Sequence, residues 1–358
     1  MIYIGSETIL SPNGNVVDCF KKIAEKKSGV SKIPGNGFKG ESFYCSMYLE
    51  NRPDFNTLAA QTIEQLLQKS KANLLTEEST LLIISTTKGD LSKGFENAII
   101  SPAKFLYEKL KLKHFPLIIS NACASGVMAI NAAAAFIENK QYQNIIVLGI
   151  DMITDFIVYG FQSLYAISDE HCKPFDNDRK GINLGEGAGA VLLSASKDVF
   201  TSTPVCFLGG SSSNDANHIS GPSRTGEGLF RSINKTFNSA GIKTEDIDFI
   251  SAHGTATVFN DEMEAIAFNR LNMQHIPVNS FKGFTGHTLG AAGVIETALC
   301  ITCMHENKLL PSAGYYNKGT TVELNLIKDA ASATINTVLK TASGFGGCNA
   351  SLLLQKIK

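Results

Sequence analysis

Short apolar runs, separated by segments with helical patterns, recur along most of this chain. A short, uninterrupted apolar run is typical of a buried strand, whereas a helix shows apolar residues at a period near 3.6. The alternation of the two patterns predicts an α/β protein in which sheets and helices form layers. The runs that predict strands are residues 81–84, 117–119, 145–148, 190–193 and 249–250.

The stretch 116–137 places a strand, a cysteine and a helix in direct succession. Residues 116–120 are apolar and β-branched in the middle, which predicts a buried strand. The Ala-rich segment from Ala124 to about residue 137 predicts a helix that is buried on nearly every side. Cys123 lies at the turn, where helix N–H groups favour a thiolate and can bind an oxyanion. Cys123 is therefore a candidate nucleophile, and the alternative is a small buried core residue.

Two histidines in the second half of the chain are candidate partners for this cysteine. His253 follows the apolar run 247–250, and His287 lies in the segment 278–290. Each has glycine and threonine neighbours, which indicates loops where the backbone can approach a ligand closely. Histidine suits hydrogen-bond donation and proton transfer near neutral pH. A single loop histidine is more often exposed or satisfied in the core, but two histidines with the cysteine favour a catalytic site.

Several segments together resemble a known family. In this order they are similar to the β-ketoacyl-acyl-carrier-protein synthases of the thiolase superfamily, of the elongating Cys-His-His type and in a short variant. The initiating type has asparagine where this chain has His287. The resemblance covers about two-thirds of the chain, from about Asn121 to the C-terminus. The segments are NACASG (121–126), CKPFDNDRKG (172–181), LGEGAGAVLL (184–193), HGTATVFND (253–261), KGFTGHTLGAAGVIE (282–296) and GFGGCNAS (344–351).

The resemblance implies a role for each matching residue. Cys123 would carry the acyl group as a thioester, and His253 and His287 would stabilise the enolate formed when malonyl thioester loses carbon dioxide. Lys282 would support the electrostatics and orientation of the histidines, and Glu296 would anchor this network. Phe345 matches the family's gating phenylalanine, whose backbone N–H would complete an oxyanion hole with the N–H of Cys123. Asp261 and Glu264 match the acidic positions that follow the first histidine.

The resemblance also implies a substrate channel. Thr255 and Thr257 match positions that bind the amides of a phosphopantetheine arm. Asp215 and His218 match a mobile loop near the pocket mouth. The implied substrates are acyl and malonyl thioesters on an acyl carrier protein, with no metal and no redox cofactor.

The fold that the resemblance implies is a five-layered αβαβα sandwich of two similar halves. We expect residues 1–200 to form the half with the nucleophile and residues 201–358 to form the half with both histidines. We further expect a dimer through the strand at 144–150, which is apolar on both faces and adhesive as a bare edge. The second copy would be the same chain or a paralogous partner without the cysteine.

Other residue patterns have simpler explanations. Cys300, Cys303 and His305 look like half of a metal site, but they lie in an apolar helical stretch without a second pair. The glycines of 185–189 and 290–293 lack phosphate-binding spacing, so they predict close backbone packing. Four lysines before the cysteine strand predict a solvated face, on which an acidic carrier protein could also dock; they are Lys104, Lys109, Lys111 and Lys113.

Composition agrees with a cytoplasmic enzyme. The 358 residues are 44% hydrophobic, enough for a large core, and the net charge of −1 gives no indication of nucleic-acid binding. No signal-like or membrane-spanning apolar segment is evident, and the eight cysteines lack disulfide-framework spacing.

The expected activity is a decarboxylating Claisen condensation that yields a 3-oxoacyl thioester, as in a 3-oxoacyl-[acyl-carrier-protein] synthase of fatty acid, polyene or polyketide-type lipid biosynthesis. Two alternatives remain. One is a non-elongating partner subunit of a heterodimeric ketosynthase, which would generally lack Cys123. The other is a different thiolase-fold acyltransferase or thioester hydrolase, for which His287 and Lys282 would be surplus.

Overall fold

The structure is a computed structural model that describes residues 1–71, 74–215 and 221–357. The helices are α1 (Val16–Ala24), α2 (Phe55–Leu67), α3 (Ile100–Lys109), α4 (Ser125–Glu138), α5 (Asp155–Ser163), α6 (Glu227–Ala240), α7 (Val258–Arg270), α8 (Lys282–Thr285) and α9 (Ala292–Glu306). The strands are β1 (Ile2–Ser11), β2 (Gly14–Asn15), β3 (Ser31–Ile33), β4 (Phe43–Ser46), β5 (Thr80–Ser85), β6 (Leu117–Ile119), β7 (Asn144–Asp151), β8 (Leu184–Gly185), β9 (Gly187–Ser194), β10 (Val205–Asn214), β11 (Phe249–Ser251), β12 (Val278–Asn279), β13 (Lys308–Leu309), β14 (Ala331–Ser332), β15 (Thr337–Gly344) and β16 (Cys348–Lys356).

One continuous 11-stranded sheet runs through the described part of the chain. Its strand order is β12-β11-β15-β16-β10-β1-β9-β7-β5-β6, with β2 paired to β1. Strand β1 joins the two parts of the sheet, because it pairs antiparallel with β10 at residues 2–4 and with β9 at residues 3–10. The division at residue 200 stays a prediction, since β1 belongs to both parts of the sheet.

The sheet and helices form five layers, as the resemblance predicted. Alternate residues of β7 face opposite sides: Ile145 and Val147 pack with α4 and α9, whereas Ile146 and Leu148 pack with α2 and α3. The other half follows the same rule, with Val338 on the α4 and α9 side and Leu339 on the α6 and α7 side. Helices α4 and α9 therefore lie between the two parts of the sheet, which explains why their sequences are apolar on most sides.

The two central helices touch backbone to backbone. A methyl group at Gly126 of α4 would lie 2.8 Å from the Gly293 Cα atom of α9, and one at Gly293 would lie 2.5 Å from the Val127 nitrogen. Only glycine leaves room for helices at this separation. The close packing predicted from the glycine run around residue 290 is therefore observed.

The prediction that the strand at 144–150 forms the dimer edge is wrong. Strand β7 is paired on both sides, parallel with β5 and antiparallel with β9. Its apolar residues reflect burial between helix layers on both faces, rather than an exposed edge. The strand at this end of the sheet is β6, where Leu117 is 38% exposed and only β5 is a neighbour.

The predicted elements around the cysteine agree with the structure to within two residues. The strand predicted at 116–120 is β6, and the helix predicted from 124 to about 137 is α4. The prediction that this strand is buried is wrong: Leu117 is exposed and Ile118 and Ile119 are half-buried, because β6 lies at the end of the sheet. The four lysines of the predicted basic face are exposed on or just after α3. Within the described residues, none of the helices combines the length and hydrophobicity that crossing a bilayer requires.

Candidate active site

The cysteine predicted as nucleophile lies in a tight turn between β6 and α4. Ala122 precedes it with a left-handed backbone, φ 45°, which is strained for a residue other than glycine. Ser125 stabilises the turn, because its Oγ accepts the Asn121 N–H at 2.7 Å and donates to the Ala122 carbonyl at 2.6 Å. The turn holds Cys123 at the start of α4, where the residue is 7% exposed.

His287 lies beside this cysteine in a defined tautomer. Its Nε2 atom is 3.0 Å from the Cys123 Sγ atom. The backbone N–H of Leu289 donates to Nδ1 at 3.3 Å, so Nδ1 is an acceptor and the ring proton belongs on Nε2. Neutral His287 therefore presents an N–H donor at the cysteine.

His253 completes the predicted set. It follows β11, and its ring centroid lies 5.2 Å from that of His287 with the ring planes at 82°. Glu264 fixes the loop by accepting the N–H groups of His253 at 2.8 Å and Gly254 at 2.6 Å. Reactive atoms of Cys123, His253 and His287 all lie within 4.8 Å of one another. The structure therefore brings the two halves of the sequence prediction into one buried cluster.

Two lysines share one carboxylate next to this cluster. Lys282 Nζ lies 2.6 Å from Glu296 Oε1 and donates to the His253 carbonyl at 2.6 Å. Lys340 Nζ lies 2.6 Å from Glu296 Oε2 and donates to the Thr341 carbonyl at 2.7 Å. These three charged side chains are almost fully buried, so each depends on the others to offset its desolvation.

Burial and charge set the protonation states of the cluster. Burial lowers the pKa of His253 and His287 well below the usual histidine value, and the positive charge of Lys282 lowers both further. Both imidazoles are therefore neutral near pH 7 and can act as N–H donors. Burial raises the pKa of the Cys123 thiol to about 12, against the opposing effect of Lys282. Desolvation therefore opposes the thiolate that the helix N-terminus is expected to favour, and that expectation stays a prediction.

The cluster lines a cavity of about 410 Å³, together with Thr255, Thr257 and Phe345. The hydroxyl oxygens of Thr255 and Thr257 lie 2.9 Å apart, on the wall where the resemblance places a pantetheine arm. The Phe345 ring stacks on Phe161, with ring centroids 5.5 Å apart and planes at 23°, and 39% of Phe345 is exposed. Phe345 is thus held at the cavity by one aromatic contact.

Asp215 and His218 are the two residues predicted near the mouth of the substrate pocket. Asp215 lines the cavity, but its carboxylate accepts the Gly228 N–H at 2.6 Å and an Asn349 side-chain N–H at 3.0 Å. Asp215 therefore ties the residue after β10 to the first turn of α6 and to β16. His218 lies outside the described residues.

The two acidic positions after the first histidine are buried and bind backbone N–H groups. Asp261 accepts from Thr255 at 3.0 Å and from Phe175 at 2.7 Å, and Glu264 holds the His253 loop as described. Arg179 Nε lies 4.0 Å from Asp261. Both acids thus act on the loop geometry rather than on the reacting atoms.

Sequence reasoning missed Lys340 and Asp151. Lys340 interrupts the apolar run of β15, and Asp151 ends the apolar run of β7, so each was visible as a charge at a buried strand position. By contrast, Cys300 and Cys303 are buried inside α9, whereas His305 is exposed, so these three do not converge on a metal.

The amino-acid sequence of the chain is similar to that of known proteins over the part that carries Cys123, His253 and His287. The family model described as beta-ketoacyl synthase, N-terminal domain, matches residues 100–198, and the corresponding C-terminal domain model matches residues 205–316. A 3-oxoacyl-[acyl-carrier-protein] synthase 2 of Coxiella burnetii is 31% identical over 275 residues, which are 73% of this chain and 66% of that protein. Its counterpart in Rhizobium meliloti is 32% identical over 66% of this chain and 60% of that protein. The matched regions thus span less than two-thirds of the length of these relatives.

Solved structures match nearly the whole chain. A chain of a ketosynthase in complex with its chain length factor, from Xenorhabdus doucetiae, superposes with a TM-score of 0.88 at 27% identity, over 99% of this chain and 98% of that one. A beta-ketoacyl synthase from Burkholderia phymatum superposes with a TM-score of 0.88 at 19% identity, over 100% of this chain and 99% of that one. The second likeness shows a shared fold.

Proposed function

Because the chain belongs to the β-ketoacyl synthase family, we propose that it catalyses the decarboxylating condensation of an acyl thioester with a malonyl thioester. The observation that carries the proposal is the buried cluster at the cavity, with Cys123 Sγ 3.0 Å from His287 Nε2 and His253 alongside. The product is a 3-oxoacyl thioester, of the kind made in fatty acid or polyketide biosynthesis.

The first step loads the acyl group. Cys123 Sγ attacks the thioester carbonyl, the new carbon–sulfur bond forms, and the departing pantetheine sulfur leaves with the thiol proton. The thiol stays protonated until substrate arrives, since burial holds its pKa near 12. The proposed donors for the oxyanion are the N–H of Phe345, in the β15–β16 turn, and the N–H of Cys123; an added methyl group at Gly344 would lie 3.0 Å from the Cys123 nitrogen, which supports their proximity.

The second step removes carbon dioxide from the malonyl group. The carbon–carbon bond breaks and its electron pair becomes an enolate, whose negative oxygen needs donors in a dry site. His253 and His287 are suited to this task because both are neutral and buried. The enolate carbon then attacks the acyl-Cys123 carbonyl, the carbon–sulfur bond breaks, and the released thiolate takes a proton from water to regenerate the free cysteine.

Both substrates are proposed to arrive on the phosphopantetheine arm of an acyl carrier protein, along Thr255 and Thr257. The steps above use side chains and N–H groups of this chain, without a metal or redox cofactor.

We further propose a dimer, either of two copies or with a paralogous partner. The likeness to a ketosynthase chain solved with its chain length factor supports the second form. Light scattering on the purified chain, alone and co-expressed with such a partner, distinguishes them. We also propose a cytoplasmic location.

The alternatives fit the site less well. A non-elongating partner subunit would have no use for a cysteine held 3.0 Å from an imidazole. A thiolase-fold enzyme without a decarboxylation step would not need His287 and Lys282 in addition to Cys123 and His253.

The test separates the two half-reactions. Cys123→Gln should abolish condensation but retain malonyl decarboxylation, because the enolate donors remain. Changing His253 or His287 to alanine should lower decarboxylation by at least about 10²-fold, the effect of one lost oxyanion donor. The exposed His275, changed to alanine, is the matched control. Parental decarboxylation rates in both histidine variants would refute the proposal.

A further inference from the structure

A fully buried carboxylate lies at the end of β7, outside the cluster of reacting groups. Asp151 is 0% exposed and accepts from three successive residues after β5: the Thr86 hydroxyl at 3.0 Å, the Thr87 N–H at 2.9 Å and the Lys88 ammonium at 2.8 Å. It also accepts the Gly290 N–H at 2.8 Å. One side chain therefore ties together the end of β7, the turn after β5 and the loop before α9.

The bond to Gly290 acts on the catalytic histidine. Gly290 is three residues after His287, and the intervening Leu289 has φ 52° and donates its N–H to His287 Nδ1. A methyl group at Gly290 would lie 2.8 Å from the Thr86 carbonyl carbon, so the turn and the loop are in direct contact. The carboxylate of Asp151 thus holds the short segment that sets the tautomer and position of the His287 ring.

The same turn after β5 touches the strand that leads to the cysteine. The Thr86 N–H donates to the Ile119 carbonyl at 3.3 Å, and the Ser120 hydroxyl donates to the Thr87 carbonyl at 3.1 Å. The Thr86–Lys88 turn therefore lies between the approach to Cys123 on one side and the His287 loop on the other.

Lys88 supplies the charge that makes this arrangement tolerable. Its side chain is 7% exposed and its Nζ contacts Asp151 Oδ1. A buried carboxylate without a counter-charge is strongly destabilising, because its lost hydration is not replaced. The negative charge of Asp151 also opposes thiolate formation at Cys123, since it raises the pKa of that thiol.

We propose that Asp151 and Lys88 are positioning residues for the condensation proposed above: the carboxylate aligns the His287 loop with the Cys123 turn, and the ammonium neutralises it. This inference rests on the proposed function, because it concerns the alignment of residues for the condensation. Asp151 and Lys88 themselves take no part in the reaction steps. Asp151 and Lys88 act through His287 and Cys123 and need not touch substrate.

The first test measures the pH dependence of Cys123 alkylation by iodoacetamide, followed on the Cys123 peptide, which needs no turnover. Lys88→Met leaves the negative charge of Asp151 uncompensated and should move the profile to higher pH. Asp151→Asn leaves Lys88 uncompensated and should move it to lower pH. The double variant should return close to the parental profile. The other charged or titratable groups near the thiol, unchanged in all variants, are His253, His287, Lys282, Glu296 and Lys340.

The second test measures condensation. Lys88→Met should lower kcat by about tenfold to about a hundredfold through a misplaced His287, with KM unchanged, and Lys88→Arg should restore most of it. Lys26→Met, at an exposed ion pair with Asp329, is the control. Profiles that stay parental, or shift in the same direction in both single variants, would overturn the proposal. If the parent protein is alkylated normally but neither condenses nor decarboxylates, the proposed function is refuted. The alkylation profiles of the variants then still decide whether Asp151 and Lys88 position the Cys123 and His287 side chains. If Asp151→Asn does not fold, the Lys88 pair of variants decides it.

Discussion

Replacing Lys340 by methionine tests whether the active site needs two cations. Methionine fills a similar volume without charge, so the change removes the ammonium from a position that is 0% exposed. Lys340 contacts Glu296 Oε2 at 2.6 Å and donates to the carbonyls of Thr341 at 2.7 Å, Ser251 at 3.2 Å and Ala252 at 3.3 Å. All of these acceptors lose a donor at once.

The structure allows the size of the effect to be bounded. Breaking a buried ion pair by removing one partner costs about 3–5 kcal/mol, because the other charge is left without compensation. Here Lys282 remains on Glu296 Oε1, so we expect a loss near the lower value, about 3 kcal/mol, in the free energy of unfolding. The free energy of unfolding of a typical protein is about 5–15 kcal/mol, so a loss of this size leaves the variant folded. The variant should, however, unfold at a lower denaturant concentration than the parent.

The same variant should change the pH profile of decarboxylation. Lys340 lowers the pKa of both His253 and His287, so its removal should raise both values. Because the neutral imidazoles are the donors, the acid limb of the decarboxylation rate should move to higher pH. Urea unfolding and malonyl decarboxylation across a pH series measure the two effects, with Lys235→Met, at an exposed position of α6, as control. Parental stability and an unmoved acid limb would show that Lys282 alone sets the site.

Three further predictions concern other parts of the site. An acyl-carrier substrate should leave its acyl group on Cys123 and on none of the other seven cysteines; peptide mapping by mass spectrometry that finds it elsewhere contradicts the mechanism. Gly293→Ala should destabilise the fold by about 1–3 kcal/mol through overpacking against α4, and thermal unfolding beside the exposed control Gly160→Ala measures it. Because the folded state holds the pKa of His253 and His287 below 6.5, the unfolded state binds protons first, so stability should fall as pH decreases from about 6.5. An unfolding midpoint that rises over that range contradicts this assignment.

The local pattern around the cysteine was sufficient to predict β6, the turn and α4, because a short β-branched apolar run and an Ala-rich helix each have strong local signals, although the burial of β6 was predicted wrongly. The role of Cys123 needed more, since a strand–cysteine–helix junction also occurs in ordinary cores. The ordered family motifs then brought His253, His287, Lys282 and Glu296 together, although they lie more than a hundred residues from Cys123.

What the sequence did not reveal depends on tertiary environment. Burial raises the pKa of the Cys123 thiol and so opposes the expected effect of the helix N-terminus, and desolvation is a property of the packed site rather than of the local turn. Strand β7 was taken as an edge because two apolar faces look adhesive, but strand order decides which strands have neighbours. Lys340 was missed because its partner Glu296 is distant in sequence and adjacent only across the packed layers.

The contact between Gly126 and Gly293 has a consequence for how this enzyme can change. Helix α4 follows directly from the cysteine turn, and α9 carries Glu296 and follows the loop of His287. At Gly126 and Gly293 main-chain atoms of the two helices are in contact, so neither residue can be enlarged without moving the helices apart. Under the proposed function, substitutions at exposed residues that line the cavity, such as Phe259, should alter which thioesters enter without changing this helix contact. Substrate choice and bond-forming chemistry are thus separable under mutation, and directed evolution of this chain should find new substrates at the rim far more readily than new reactions at the helix crossing.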